Sequence, residues 1–231
     1  MHVEHAASDA VAGTSVYVYE WPVRLWHWVN ATALLVLVAT GYLIGSPSLP
    51  TPAGEAIDHS GFGTIRFVHF AAGHLFAIGL VGRVYWAFAG NRHAHQIFFL
   101  PLRDIRWWRE VWTQARWYLF IAPHPERYLG HNPLAQLAIV IGFVLPAGFM
   151  ALTGFALYSE GKGVDGWHDR VFGGLIPLLG GSQALHTWHH LAMWVLISFS
   201  LLHVYMVVRE DLVSRQTILD AMVSGWRTFR R

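Results

Sequence analysis

Long apolar runs separated by polar or arginine-rich connections organise this chain. Trp28 to Ile44 and Phe67 to Ala89 form one pair of runs, and Leu134 to Tyr158 and Trp188 to Val208 form a second. Each approaches or exceeds the roughly 20 residues an α-helix needs to cross hydrocarbon. The pattern predicts an all-α integral membrane bundle, one domain over residues 1–231, with four spans at about 25–45, 64–88, 134–158 and 187–208. Between the second and third spans, IFFLPLRDIRWWREVWTQARWYLF mixes aromatic, aliphatic and arginine residues at rough helical spacing, as an amphipathic helix lying at the inner membrane surface would. Pro146 falls inside the third span, where it is expected to kink the axis unless neighbouring groups satisfy the freed carbonyl. The chain has no convincing internal repeat or low-complexity segment.

Composition supports this picture: 54% of positions are hydrophobic and only 13% charged, against roughly 25% charged in a soluble domain. The first eleven residues, MHVEHAASDAV, lack the basic, apolar and small-residue regions of a signal peptide, so the first helix is expected to be retained. The net charge of +2 conceals an uneven distribution of basic residues. Thirteen of them (Arg24, Arg83, Arg92, Arg103, Arg106, Arg109, Arg116, Arg127, Arg209, Arg215, Arg227, Arg230 and Arg231) fall on one side of the threaded topology. Arg66, Lys162 and Arg170 fall on the other. Both termini and the long connection are therefore expected in the cytoplasm, with Gly45 to Thr64 and Ser159 to Leu185 facing outward. The lipid bilayer is the expected environment, and no nucleic-acid partner is expected.

There is no cysteine, which excludes thiolate-held iron-sulfur clusters, disulfides and covalently attached c-type haem in this chain. Of fifteen histidines, seven (His27, His69, His74, His186, His189, His190 and His203) lie in or at the mouths of the apolar runs. An ionisable residue inside a bilayer marks a functional hypothesis, although a single imidazole is often only an interhelical hydrogen-bonding group. The twelve tryptophans are less diagnostic, because Trp gathers at membrane interfaces generally.

The joint arrangement of the histidines says more than any one of them. His189 and His203, fourteen residues apart, differ by about 40° in direction and ~21 Å in depth, so they share a helix face at two levels. His186 and His190 point about 100° and about 140° away from His203 and share that face less well. Threading the topology puts His27 at the inner end of the first helix, level with His203, and His69 at the outer end of the second, level with His189. His74 lies about 140° around the second helix from His69 and remains the alternative there; depth favours His69. The pattern predicts two pairs of imidazoles, each from two helices at one depth, with a haem between each pair.

Two imidazoles fill both axial positions of haem iron and leave no open site, so the natural chemistry is one-electron transfer. Zinc, the rival metal, wants about four ligands close together, whereas these come in separated twos. No acidic residue lies inside a span, which weighs against a histidine-based metal-ion transporter or anchor. Arg24 and Arg66 stand three residues before His27 and His69 on the same helical side, as candidate partners for anionic propionates; snorkelling to headgroups is the plain alternative. Gly41, Gly73, Gly79 and Gly82 would let backbone approach a porphyrin, though small residues are common at any membrane helix interface.

The segments YVYEWPVRLWHWVNA, IRFVHF, GRVYWAFAGNRH, RWYLF, GHNPLAQ, TGFALYSEG, HTWHHLAMW and HVYMVVRED run in order along nearly the whole chain. With them the chain resembles the cytochrome b subunit of membrane-bound nickel-iron hydrogenases. Carried over by motif, that family's haem ligands fall on His27, His69, His189 and His203. The resemblance implies two haem b groups and a multi-pass protein of the bacterial inner membrane. It also implies a periplasm-facing hydrogenase whose iron-sulfur small subunit, bound to the nickel-bearing large subunit, feeds the outer haem, and a quinone that accepts electrons near the inner one. The chain itself would not split hydrogen, having no cysteine for a nickel-iron site. Tyr205 and Arg209 are weak candidates for the quinone site. Rival readings are the cytochrome b subunit of formate dehydrogenase or a b561-type electron carrier.

Overall fold

Four long helices form where the apolar runs predict them, in a computed structural model that describes residues 15–46, 60–122, 128–162, 166–214 and 217–228. They are α1 (Trp21–Gly45), α2 (Ser60–Ala89), a third built from α4 (Pro133–Ile139), a π turn (Val140–Val144) and α5 (Leu145–Glu160), and α8 (Ser182–Ser214). All are long and apolar enough to cross a bilayer. Leu35, Phe67, Val81 and Leu201, each about 70% exposed, show apolar side chains turned outward, a surface suited to lipid and costly in water. The N-terminal stretch and most of the Gly45 to Thr64 connection lie outside the described residues, as do Arg127, Arg215, Arg230 and Arg231 of the basic count.

The third span continues through Pro146, which sits in the first turn of α5. The preceding π turn widens the backbone where the proline ring would meet the carbonyl of Gly142 and where its missing N–H breaks the ladder. Asn132 caps the start of this span, its side chain accepting from Ala135 N at 2.7 Å.

The chain divides into two units, and each long helix contributes a segment to both. The first comprises residues 1–26, 83–144 and 199–231. Here α3 (Ile105–Tyr118) starts at Asp104, whose carboxylate accepts from Arg106 N at 2.8 Å. Its buried positions Trp107, Val111, Gln114 and Trp117 recur at helical spacing, giving one docked stripe. That stripe packs against α4, with Trp107 Nε1 donating to Gln136 Oε1 at 3.2 Å.

The composition of the runs did not foretell a small antiparallel ribbon, β1 (Ser15–Tyr17) with β2 (Trp226–Thr228), in the register Ser15 to Thr228, Val16 to Arg227 and Tyr17 to Trp226. It joins the segment before α1 to the segment after α9 (Ile218–Ser224), which stops at Gly225, whose φ of +89° reverses the backbone. Gly225 O then accepts from Val18 N at 2.9 Å. Val18, Tyr19, Val23, Ala94 and Ala221 form the core beneath this ribbon.

The second unit comprises residues 27–82 and 145–198. Within it α1 and α2 meet at Asn30 and Gly79, and α6 (Trp167–Phe172) and α7 (Leu175–Leu178) pack on α5. Phe172 stacks on Phe155 at 5.1 Å, ordering part of a connection that the hydropathy pattern left featureless.

Candidate functional site: a histidine-lined cavity

Within the second unit a cavity of about 820 Å³ opens between segments of α1, α2, α5 and α8. This volume is in the range of sites that hold cofactors. Leu37, Phe76, Met193 and Leu196 supply apolar wall, and five histidines line it: His69, His74, His186, His189 and His190. The structure therefore brings His69 and His189 to one cavity, as the threading required, and they lie within electrostatic reach of each other.

These two imidazoles share a device. Thr40 Oγ1, on α1, donates to the Val36 carbonyl at 2.6 Å, which leaves its lone pairs to accept from His69 Nδ1 at 2.9 Å. Thr153 Oγ1, on α5, donates to the Phe149 carbonyl at 2.8 Å and accepts from His189 Nδ1 at 2.8 Å. With the proton on Nδ1, Nε2 keeps the lone pair that a metal needs. The next residue in each helix is glycine. A Cβ on Gly41 would stand 3.2 Å from His69 Cε1, and one on Gly154 3.3 Å from His189 Cε1. Neither threonine was legible from hydropathy; the repeated Thr-Gly pairs in ATGYLIG and ALTGFAL were the available signal.

The other cavity histidines are held differently. His74 Nδ1 donates to Phe70 O at 2.7 Å and His186 Nδ1 to Ser182 O at 2.9 Å, each within its own helix. His190 passes 3.2 Å from where a Cβ on Gly45 would be. Arg66 also lines the cavity and lies 5.8 Å over the Phe70 ring. Of the glycines expected to face a porphyrin, Gly41 abuts His69, Gly73 lines the cavity, Gly79 faces Asn30, and Gly82 meets nothing within 4 Å. His27, also in this unit, sets its ring edge-on to Trp28 at 5.0 Å.

His203 belongs to the first unit, stacked on Phe199 at 5.6 Å and 18°. In the same unit is a polar group that sequence reading missed. Arg83, counted only as a topology marker, is 3% exposed between the rings of Trp26 and Phe98. Its Nη2 donates to Ala94 O at 2.7 Å, while Nε and Nη1 are buried without hydrogen-bond partners. His131, whose buried Nδ1 also has none, faces this charge. Burial, reinforced by Arg83, His203, Arg227 and His93, holds its pKa down to about 3, so it is neutral near pH 7. Arg24 donates to the Val223 carbonyl. Arg209 stacks 4.1 Å over Trp117, joining α8 to α3, and Tyr205 is exposed; neither of these quinone candidates lies at a described cavity.

The residues of the second unit fit haem b. The cavity is large and mostly apolar, its two threonine-held imidazoles would keep Nε2 for iron, Gly41 and Gly154 leave room for the imidazole edges, and Arg66 would be the cation for a propionate. Among the described residues no three histidine, cysteine or acidic side chains gather as a zinc site would need. A multi-pass membrane helical chain with such a cavity defines a b-type cytochrome. Residues 18–225 match the family described as prokaryotic cytochrome b561, and the chain belongs to it. The b561-type reading, set beside the hydrogenase resemblance as a rival, thus describes the same family.

The chain is 58% identical over 217 residues to a probable Ni/Fe-hydrogenase B-type cytochrome subunit of Azotobacter vinelandii, covering 94% of this chain and 90% of that one. It is 53% identical to the protein so described from Bradyrhizobium diazoefficiens, covering 96% and 89%. The probable Ni/Fe-hydrogenase 1 B-type cytochrome subunit of Escherichia coli K12 is 44% identical over 225 residues, covering 94% and 92%. Family membership makes the chain a haem b protein of membrane electron transfer.

Proposed function

We propose that this chain is the dihaem cytochrome b subunit of a nickel-iron hydrogenase, anchoring the enzyme and passing its electrons to quinone. The names of relatives that align over nearly the whole chain support the hydrogenase partnership; the iron-sulfur small subunit and the large subunit are proposed as its partners on the sequence resemblance. The excess of arginine on one side supports a bacterial inner-membrane orientation with the hydrogenase on the periplasmic face and α3 at the cytoplasmic surface.

The observation that carries the proposal is the cavity lined by His69 and His189, whose Nδ1 atoms are tied to Thr40 and Thr153 and whose Nε2 atoms are thereby left as the ligating nitrogens. A haem held by these two imidazoles would supply one-electron transfer. The chain's own groups set the rest: His69 and His189 bind and orient, Arg66 offers positive charge to a propionate, and the apolar walls exclude water. His27 and His203 are proposed as ligands of the second haem on the helical spacing of the sequence and the family resemblance, with Arg24 as its candidate propionate partner.

Haem quantitation with redox-difference spectroscopy tests this. The intact chain is expected to carry two haems, His69→Ala and His189→Ala to lose the outer one, and His27→Ala and His203→Ala the inner one. Loss of the outer haem in His74→Ala but not in His69→Ala would overturn the ligand assignment. A count of one haem per chain would end the dihaem proposal, and purification without a nickel-containing partner would end the hydrogenase one.

A further inference from the structure

We propose that Thr40 and Thr153 are positioning residues, each holding one imidazole ligand of the outer haem as its Nδ1–H tautomer, which leaves Nε2 as the nitrogen free to bind iron. This rests on the reading that His69 and His189 ligate that haem.

Three features of each site lead to it. The hydroxyl comes from a different helix than the histidine: α1 holds the imidazole of α2, and α5 that of α8. The hydroxyl proton is already committed to the carbonyl four residues back, Val36 O or Phe149 O, so towards Nδ1 the oxygen acts as acceptor. The following glycine removes the Cβ that would crowd the ring's Cε1, so the imidazole edge lies directly against backbone. His74 and His186 also give their Nδ1–H to an acceptor, but to carbonyls of their own helices, so what sets His69 and His189 apart is that a neighbouring helix fixes the ring. Thr153 is 1% exposed, so water does not readily replace its hydroxyl.

An acceptor on Nδ1–H fixes tautomer and ring orientation and makes Nε2 a stronger donor to the metal. A stronger donor favours ferric over ferrous iron, so the two hydroxyls lower the potential of the outer haem. The two holds differ in one respect: His69 also has the Leu37 carbonyl as a hydrogen-bond acceptor, a partner His189 lacks. Loss of such an outer partner typically shifts metal-site behaviour by about 10-fold or more. A tenfold change in the ferric-to-ferrous ratio is about 59 mV for one electron.

The test uses Thr40→Val and Thr153→Val, which keep side-chain shape and remove the hydroxyl, beside Thr40→Ser and Thr153→Ser, which keep the hydroxyl. The full-length cytochrome is measured for haem content, potentiometric midpoint and low-temperature ferric EPR. Each valine variant is expected to raise the outer-haem midpoint by about tenfold in ratio and shift its EPR signal, with serine restoring both. Should valine cost the haem altogether, retention in the serine variant supports the proposal equally. An unchanged midpoint and spectrum in haem-replete valine variants overturns it, and so does a serine variant that behaves like valine. The underlying ligand assignment fails separately, when His69→Ala and His189→Ala keep their full haem content.

Discussion

A methyl group at Gly79 should loosen the joint that places Thr40 beside His69. An added Cβ there would stand 2.3 Å from Asn30 Nδ2, 2.9 Å from Oδ1 and 3.0 Å from Cγ, where an unstrained contact needs ~3.5 Å. Asn30 is 3% exposed, so its amide cannot simply swing into open space, and α1 and α2 must part by roughly 1 Å. Overpacking of this kind costs about 1–3 kcal/mol, against a gain of about 1 kcal/mol for alanine over glycine in a helix. Gly79→Ala is therefore expected to destabilise by up to about 2 kcal/mol. Gly82→Ala on the same helix meets nothing within 4 Å and should stabilise by about 0.5–1 kcal/mol.

The effect should reach the haem site. Thr40 lies ten residues beyond Asn30 on α1 and His69 ten residues before Gly79 on α2, so both contacts belong to one antiparallel register about 15 Å long. Reversible SDS unfolding in mixed micelles, followed by tryptophan fluorescence and haem retention, measures both consequences. Gly79→Ala should unfold earlier and lose haem sooner than Gly82→Ala, and Asn30→Ala should relieve part of the clash in the double variant. Equal unfolding midpoints and haem retention for Gly79→Ala and Gly82→Ala would refute the reasoning.

In the first unit, Tyr118 donates to Glu210 Oε2 at 3.1 Å and accepts from Asn132 Nδ2 at 3.2 Å, so Tyr118→Phe should cost about 1–3 kcal/mol by chemical denaturation. Burial and the Glu210 charge push the Tyr118 phenol above its ordinary value. Above pH ~10 the unfolded phenol gives up a proton that the folded one keeps, so stability should fall there, and less steeply in Tyr118→Phe. Asp104→Ala removes the cap of α3 at about 1 kcal/mol, and trypsin should then cut at Arg106 and Arg109 about fivefold faster. An unchanged cleavage rate would mean that α3 is held by its buried stripe alone.

The sequence by itself determined the four spans and the candidate ligands, because both depend on local quantities. A run of apolar residues about as long as the bilayer is thick must form a helix to satisfy its own backbone, whatever it packs against. Likewise, the rotation between His189 and His203 follows from the pitch of one helix and needs no neighbour. Tertiary structure decided what depends on helix approach. Thr40 and Thr153 look like ordinary membrane-helix threonines until α1 meets α2 and α5 meets α8, when their hydroxyls fall within hydrogen-bond reach of His69 and His189. Gly79 and Gly82 are indistinguishable by composition, yet one lies against Asn30 and the other faces open space. Arg83 counts only as a cytoplasmic-side charge in the sequence, and its burial between Trp26 and Phe98 comes from the packing. Hydrophobicity and helical pitch are properties of a segment, whereas a hydrogen bond of about 3 Å between helices is a property of their distance and rotation, which only the packed chain fixes.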